Sequence, residues 1–362
     1  MNKTKIYIDG WFIQPPLRGV GNYIKNILLE IPKSKENIEY ILLIPRFNLN
    51  LEFLPNFVKV KVIPCKFILL WYEYYLPKIS KINKKSTIFY PSGTCGILMS
   101  NKYNNVASTI HDVSNLLPLK LSPITFKFKN IFGRIYRIFS FYKLINNSDL
   151  VFTVSKTARK GIESFIKNKN FDYSKIHIVY NASRITNLKL KNKKKYFLCI
   201  TGESNQKNYR CILEALNKAK LNSLIGWTFY LVGLDNDDVI NHKSGALLIK
   251  KKYLDFQEIK DIYSKTYCYI FPSLFESFGI PLVDAQKSRC HIIASNQGAS
   301  KEVCGNSALY FDPNSSNSLL KKILKIISEY PKKTKINTNS KIYNQSWAKT
   351  SKFIFKKIAD LN

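Results

Sequence analysis

Residues 271–313 are the part of this 362-residue chain best suited to chemistry, because they hold two carboxylates, Glu276 and Asp284, separated by seven residues. A predicted strand ends in the segment Phe271-Pro272-Ser273, and Pro281 is a favourable first residue for a helix. We therefore predict Glu276 in a loop and Asp284 in the first helical turn. Both carboxylates could accept hydrogen bonds from sugar hydroxyls, while the free N–H groups of the helix start favour a diphosphate or a carboxylate. The alternative is that Asp284 only complements the helix dipole and that Glu276 is a solvated loop residue.

A second candidate lies in residues 196–209, which read as a strand, a turn at Gly202 and a helix that starts near Lys207. Backbone amides at such a turn suit a phosphate, and Lys207 would add a full positive charge. The alternative is that Lys207 is one surface lysine among many.

Two weaker candidates lie in the first half of the chain. Gly19 and Gly21 precede a predicted helix, so the backbone could approach a ligand closely, although a plain turn explains them equally well. His111 and Asp112 follow a predicted strand, and ligands bind at the carboxyl ends of parallel strands. A histidine with a structural role is the alternative.

The elements that must position these residues alternate between strands and helices, which predicts parallel sheets covered on both faces. A polar, lysine-rich linker at residues 178–195 divides the pattern into two halves. The fold class is therefore α/β, with two doubly wound Rossmann-like domains that face each other across a cleft. The domains are residues 1–180 and 181–345, followed by a C-terminal segment, 346–362. The predicted strands are 6–8, 40–44, 58–63, 88–90, 107–110, 150–154, 196–200, 229–232, 246–249, 267–271 and 291–294.

The stretch after Phe271 resembles the signature of the retaining glycosyltransferases of family 4, the glycosyl transferases group 1, which have the GT-B fold. That signature is Glu, seven residues, Glu, with Gly-Phe-Gly-Leu-Pro after the first Glu. Glu276 and Phe278-Gly279-Ile280-Pro281 match it, while Ser277 replaces a glycine and Asp284 replaces the second Glu. The resemblance implies that Glu276 and the N–H groups of Phe278, Gly279 and Ile280 hold the donor sugar. It also implies that Asp284 binds the nucleotide ribose.

Other segments are similar to the same family, in family order. Gly202 and Lys207-Asn208 fit a Gly-x-x-x-x-Arg-Lys-Asn pattern that holds the diphosphate, with Gln206 at the arginine position. Gly19-Val20-Gly21 resembles the family's loop towards the donor phosphates, and His111 resembles its sugar-contacting histidine. Ser346-Trp347 resembles the start of a C-terminal helix that crosses back to the N-terminal domain.

The function that the resemblance implies is retaining transfer of a hexosyl unit from a nucleotide-diphosphate sugar to a glycan or lipid-linked acceptor, in surface polysaccharide biosynthesis. Glu276, Lys207 and His111 would be the catalytic residues. We expect no cofactor and no essential metal, since no Asp-x-Asp metal motif is evident. One alternative is a sugar-nucleotide hydrolase or epimerase. Another is a non-catalytic nucleotide-sugar-binding or partner subunit, which the departures at Gln206, Ser277 and Asp284 motivate.

The net charge of +33 has two explanations. An AT-rich genome favours lysine codons, which makes the charge compositional. Attraction to anionic lipid headgroups or anionic substrates makes it functional. A nucleic-acid binder driven by charge is a further alternative, but no recognition motif supports a specific nucleic-acid partner.

Residues 124–145 carry apolar side chains at three- and four-residue steps, which predicts an amphipathic helix with basic and aromatic residues on its other faces. Such a helix could lie on an anionic membrane, or its apolar face could pack on the sheet. The sequence lacks a signal peptide and a long apolar run, so we predict a cytoplasmic protein, with peripheral attachment to the inner face of the membrane left open. The seven scattered cysteines predict buried thiols in a reducing compartment.

Overall fold

A computed structural model of the chain describes residues 4–15, 17, 19–33, 38–46, 49–113, 128–166, 168, 170–185, 188–331 and 340–361. The chain forms two compact units. The first comprises Met1–Leu117, Ile124–Asn181 and Ser346–Asn362, and the second comprises Pro118–Pro123 and Ala182–Gln345.

The first unit is built on a parallel sheet of seven described strands. The strands are β1 (Thr4–Asp9), β2 (Ile38–Ile44), β3 (Lys59–Val62), β4 (Thr87–Tyr90), β5 (Asn105–Ile110), β6 (Leu150–Thr153) and β7 (Ile176–Ile178). Their order in the sheet is β3-β2-β1-β4-β5-β6-β7, so the direction of winding reverses between β1 and β4. Central strands such as β4 and β6 are buried along their whole length, as a parallel sheet covered on both faces requires.

Helices of the first unit surround this sheet. They are α1 (Gly19–Leu29), α2 (Ile68–Leu70), α3 (Leu76–Ile82), α4 (Phe128–Asn147) and α5 (Lys156–Ile166), and a π-helical turn, Trp71–Tyr75, joins α2 to α3. Ser155 caps α5, because its Oγ accepts a hydrogen bond of 2.8 Å from Ala158 N.

The second unit is also built on a sheet of seven described strands. Its strands are β8 (Lys194–Ile200), β9 (Thr228–Val232), β10 (Asp238–Asn241), β11 (Leu247–Lys251), β12 (Thr266–Phe271), β13 (His291–Ser295) and β14 (Leu309–Phe311). The order is β10-β11-β9-β8-β12-β13-β14, and only the β10–β11 pair of this described sheet is antiparallel. The winding therefore reverses between β8 and β12.

Helices of the second unit are α6 (Arg210–Lys218), α7 (Phe256–Lys265), α8 (Ile280–Lys287), α9 (Ser300–Cys304), α10 (Ser316–Ser328) and α11 (Ser340–Tyr343). A buried core joins the sheet to α6 and α10 through Ile212, Leu216, Leu319 and Ile323. The two residues on each helix are four apart, which is the spacing of a helix face that packs on a sheet.

All eleven predicted strands are confirmed, and the polar segment at 179–193 contains no helix or strand in its described part. Three strands were missed. β7 and β14 have three residues each, and β10 is largely exposed, so none of them carries a distinct period-two pattern. The predicted turn at residues 19–21 is wrong, because these residues form the first turn of α1.

The C-terminal helix α12 (Trp347–Ala359) belongs to the first unit. Thr350 Oγ1 donates to the carbonyl of Tyr180 at 2.8 Å, and Ser351 Oγ donates to the carbonyl of Ile27 at 2.6 Å. Both hydroxyls are buried, so these hydrogen bonds offset the free energy that their desolvation costs.

Two composition-based expectations can be compared with the structure. All seven cysteines are free thiols, and all but the partly buried Cys65 are buried, as predicted. Across the described ranges, the helices are too short or too polar to cross a bilayer.

Candidate active site

The candidate site lies where the winding of the second sheet reverses. β8 and β12 are neighbouring parallel strands, so the chain segments that follow them begin at the same edge of the sheet. These segments then diverge, because β9 lies beside β8 on one side of the pair and β13 lies beside β12 on the other. Open α/β sheets bind ligands at this position. The turn that carries Lys207 follows β8, and the loop that carries Glu276 follows β12.

Lys207 and Glu276 meet at this edge. Lys207 Nζ lies 2.6 Å from Glu276 Oε1, and Ser273 Oγ donates a hydrogen bond of 3.3 Å to the same carboxylate oxygen. Both charged side chains remain partly exposed, at 37% for Lys207 and 20% for Glu276. A cation and an acid are therefore close together, and both are accessible to a ligand.

Lys207 does not lie in a helix, so the predicted helix start at this residue is wrong. It is the last residue of a 3-10 turn, Asn205–Lys207, and α6 begins three residues later. Asn208 adopts a left-handed conformation, with φ 54°, which lets the chain change direction before α6. The side chain of Asn208 then donates to the carbonyls of Pro272 and Pro313 at 3.0 and 2.9 Å.

Gln206 joins the two segments of the site. Its side-chain amide donates a hydrogen bond of 2.6 Å to the carbonyl of Phe275, and its own carbonyl accepts one of 2.8 Å from Leu274 N. Gln206 therefore fixes the loop that carries Glu276. This residue was noted from the sequence only as a replacement for an arginine.

Gly298 is a positioning residue that sequence reasoning missed. It follows β13 with φ +60°, and a Cβ atom built on it would lie 2.5 Å from the carbonyl oxygen of Glu276. Ala299 N donates a hydrogen bond of 2.9 Å to that same carbonyl. The backbone of Glu276 thus packs directly against a glycine turn. The segment Asn296-Gln297-Gly298 has turn composition, which was the available signal.

The start of α8 supplies backbone donors beside Glu276. Gly279 is its N-terminal cap in a left-handed conformation, with φ +89°, and Phe278 before it is buried. Pro281 follows in the first turn, close to where it was predicted. Leu282 N donates a hydrogen bond of 2.9 Å to the Gly279 carbonyl and Pro281 has no N–H, so Ile280 N is the first-turn donor that this helix end can offer to an anion.

Asp284 is not part of this accessible group, and its predicted position in the first turn is wrong. It is the fifth residue of α8 and is fully buried. Ser183 Oγ and Arg184 N donate to Asp284 Oδ1 at 2.7 and 2.9 Å. Arg184 Nη2 lies 3.3 Å from Oδ2. The carboxylate that the resemblance assigns to the ribose is therefore occupied by protein donors.

Arg184 is the residue that accounts for this arrangement. Burial by itself lowers the pKa of its guanidinium group, but the Asp284 carboxylate raises that pKa above its ordinary value. The pair fixes the segment after residue 181 to the middle of α8. Because 100 residues separate Arg184 from Asp284, local sequence patterns could not have revealed the pair.

The other three predicted glycines occupy different environments. Gly202 follows β8, and an added Cβ would lie 3.9 Å from Lys207 Cγ, so it borders the candidate site. Gly19 is exposed in the first turn of α1, where an added Cβ would meet no described atom within 4 Å. Gly21 is buried, and its Cβ would lie 2.4 Å from the carbonyl oxygen of Phe12, which explains a glycine without a ligand.

His111 lies in the first unit, after β5. Its Nε2 donates a hydrogen bond of 2.8 Å to the carbonyl of Pro91, and its ring meets Tyr23 edge-on at 4.5 Å between centroids. Burial lowers the pKa of His111, although the Pro91 carbonyl and the Asp112 charge oppose that shift. It lines a pocket of about 270 Å³ together with polar side chains of Ser92, Thr94 and Arg137.

The two Rossmann-like units have the architecture of the GT-B class, and the lysine–glutamate pair lies at the reversal point of the second sheet. Residues 183–343 match the family described as glycosyl transferases group 1. The match covers the segment that contains Lys207, Glu276 and α8.

Known proteins resemble the chain over most of its length. The O-antigen chain mannosyltransferase RfbU of Salmonella typhimurium is 27% identical over 263 residues, which are 69% of this chain and 68% of the relative. The crystal structure of Anabaena HepE in complex with UDP has a TM-score of 0.68 at 13% identity and covers 99% of this chain and 100% of its own. The lipopolysaccharide outer core galactosyltransferase WaaB has a TM-score of 0.63 at 14% identity and covers 98% of this chain and 99% of its own.

Proposed function

We propose that this glycosyltransferase transfers a hexosyl unit from a nucleotide-diphosphate sugar to a glycan or lipid-linked acceptor and keeps the anomeric configuration. The observation that carries the proposal is the accessible contact of 2.6 Å between Lys207 Nζ and Glu276 Oε1. A donor sugar and its diphosphate are adjacent groups that require binding partners of opposite charge. The sugar hydroxyls require an acceptor such as Glu276, and the diphosphate requires a cation such as Lys207.

In the proposed reaction, the glycosidic bond to the diphosphate breaks and negative charge develops on the leaving oxygen. Lys207 and the N–H group of Ile280 at the start of α8 stabilise that charge, a role that typically contributes several kcal/mol. The acceptor hydroxyl attacks from the face that the diphosphate leaves, and its proton passes to a phosphate oxygen. This route needs neither a separate base nor a divalent metal.

We assign the other predicted residues more limited roles. Gly202 and the amides of Phe278, Gly279 and Ile280 would approach the donor through the backbone. We retain His111 as a proposed contact of the donor sugar and Gly19 as a residue near the donor phosphates. Gly21 and Asp284 have structural contacts that suffice to explain them, so the proposal does not rely on either.

The biological setting is proposed from the relatives. RfbU is named as an O-antigen chain mannosyltransferase and WaaB as a lipopolysaccharide outer core galactosyltransferase, so we propose a role in bacterial surface polysaccharide synthesis. The free cysteines support action in a reducing compartment such as the cytoplasm.

The test is a screen of uridine and guanosine diphosphate sugars carrying mannose, glucose or galactose, first for thermal stabilisation and then for transfer. We expect at least one donor to raise the melting temperature by mass action. That donor should then be consumed only when an acceptor is present, and the product should have the anomeric configuration of the donor. Inversion of the anomeric centre would contradict the retaining mechanism.

A second candidate function is a non-catalytic nucleotide-sugar-binding subunit, which the burial of Asp284 favours because one expected donor contact is lost. The same screen separates the two functions. Stabilisation by a donor without turnover, even with an acceptor, would support the binding subunit. Donor consumption without an acceptor would instead support a hydrolase or an epimerase.

A further inference from the structure

Three segments of the first unit meet at the side chain of Glu73. Its two carboxylate oxygens accept hydrogen bonds of 2.8 and 3.0 Å from the backbone N–H groups of Ile97 and Leu98. Tyr136 Oη donates a further hydrogen bond of 2.8 Å to Glu73 Oε1. The π-helical turn, the loop at residues 96–98 and α4 are therefore held against one another at a single carboxylate.

Large apolar side chains surround this junction and are exposed. Leu69 and Leu70 precede Glu73 by one helical turn, Ile97 and Leu98 are bonded to it, and Phe132 and Phe139 lie one turn on either side of Tyr136. The most exposed of them is Leu98, at 70%. We call these six residues the apolar patch: Leu69, Leu70, Ile97, Leu98, Phe132 and Phe139.

The exposed face of α4 extends the apolar patch. Ile131, Ile135 and Tyr142 are also exposed, at 37%, 44% and 38%. The opposite face of the same helix buries Phe141, Leu144 and Ile145 in the core. The prediction of an amphipathic helix is confirmed for the described residues of α4, but much of its predicted apolar face is exposed rather than packed on the sheet. Residues 124–127 of that prediction lie outside the described residues.

The junction is anchored to the sheet through the π-helical turn. Asp9, the last residue of β1, is fully buried and accepts hydrogen bonds of 2.8 Å from both Trp71 Nε1 and Tyr72 Oη. An added Cβ on Gly96 would lie 2.1 Å from the carbonyl oxygen of Tyr72, so the loop packs directly on the π-helical turn. An apolar surface that is held this firmly does not need to be ordered when it binds a partner.

The stretch of sequence that contains the apolar patch is strongly basic. Between Phe53 and Ser148 the sequence contains 14 lysines and arginines but only two acids, Glu73 and Asp112. Glu73 is already occupied by three hydrogen bonds at the junction. Lys66 and Lys78 are exposed beside α2 and α3. This ratio of basic to acidic residues far exceeds that of the whole chain, which is 57 to 24.

We propose that the apolar patch is the surface by which the protein binds an anionic lipid bilayer. Leucine and phenylalanine side chains would enter the interface between headgroups and acyl chains, while the flanking lysines contact anionic headgroups. The charge favours this occupant over an apolar protein surface, because a bilayer presents many negative charges in one plane. This proposal is connected with the proposed function at one point, because a lipid-linked acceptor would lie in the same bilayer.

The experiment is sedimentation of the full chain with vesicles of phosphatidylcholine that contain 30% phosphatidylglycerol. We expect binding that weakens at high salt and with vesicles of pure phosphatidylcholine. A Leu69→Ser/Leu98→Ser variant should bind at least about tenfold more weakly, since two inserted side chains are lost. The matched control is Leu221→Ser/Tyr253→Ser, which changes exposed residues of the second unit and should bind like wild type.

A Lys66→Gln/Lys78→Gln variant tests the same surface without altering an apolar side chain, and it should weaken binding several-fold and reduce the salt dependence. Thermal unfolding shows whether each variant is folded. Wild-type protein that stays in the supernatant with anionic vesicles would overturn the proposal. So would equal binding by the patch variant and its control, or a patch that binds a protein partner but no vesicles. None of these measurements uses glycosyl transfer, so this proposal can fail while the proposed function stands.

Discussion

Glu276 and Asp284 belong to one sequence motif, and each is paired with a cation, but their surroundings in the second unit are opposite. Glu276 is partly exposed and contacts Lys207, which is itself 37% exposed. Asp284 is fully buried and takes donors from Ser183 and Arg184. The first pair can exchange its partner for a ligand at little cost in desolvation, whereas the second cannot be opened without leaving a buried charge.

This contrast separates a ligand-binding pair from a structural pair by accessibility and not by residue type. Both acids resemble sugar-nucleotide contacts in the sequence. In the structure, only Glu276 keeps an oxygen that a donor could reach while its neighbours stay in place. The following substitutions test that distinction, in order of decreasing effect.

Replacement of Lys207 should have the largest effect on activity. Lys207→Ala removes the cation that would stabilise the leaving diphosphate, so kcat should fall by about 10²- to 10³-fold. Unfolding stability should change little, because a half-exposed ion pair contributes little to it. Steady-state kinetics and urea denaturation measure the two effects. Lys191→Ala, which breaks the exposed contact with Asp261, is the matched control, and wild-type turnover by Lys207→Ala would contradict the site.

Replacement of Asp284 should have the largest effect on stability. Asp284→Ala leaves Arg184 without its partner and should lower the free energy of unfolding by about 3 kcal/mol. A double variant, Asp284→Ala/Arg184→Leu, should recover part of that loss because no unpaired guanidinium remains. Urea denaturation of both single variants and the double variant gives the coupling. Asp284→Ala with wild-type stability but lost donor binding would restore the ribose assignment and break the contrast.

Gly298→Ala tests whether the position of Glu276 matters as well as its charge. The new Cβ would lie 2.5 Å from the Glu276 carbonyl oxygen in a left-handed backbone, so the loop must shift. We expect kcat/KM to fall by about 10- to 100-fold, because small displacements of a binding group are costly. Gly226→Ala is the control. Gly226 has a similar φ of +78°, but a Cβ added there would have only Lys195 Nζ near it, at 4.0 Å, so the variant should keep wild-type activity.

His111 should give the smallest effect, in the pH dependence of stability. Burial lowers its pKa in the folded state, so the unfolded chain binds the proton more tightly. The stabilisation from neutral His111 is therefore complete above its unfolded pKa of about 6.5 and is lost as the pH falls below that value. His111→Gln should differ less from wild type at pH 5.5 than at pH 7.5 in urea denaturation. A constant difference would show that protonation of His111 does not affect stability.

Much of the fold was predictable because its signals are local. Apolar runs bounded by turn residues located eleven of the described strands, and Pro281 located the start of α8 within one residue. The three-residue strands β7 and β14 were not predictable, because three residues do not define a period. In the candidate site, Glu276 and Lys207 were identified by residue type and spacing. Gln206 and Gly298 acquire their roles only through contacts with a distant loop.

By itself, the sequence determined that strands alternate with helices and that Lys207 and Glu276 each follow a strand, since turn chemistry and apolar periodicity act over a few residues. That β8 and β12 are neighbours, which brings Lys207 and Glu276 together, follows from the folded structure and not from any local pattern. The burial of Asp284, its pairing with Arg184 and the exposure of one face of α4 also follow from the folded structure. These facts depend on which distant segments pack together, and burial and ion pairing are properties of that packing.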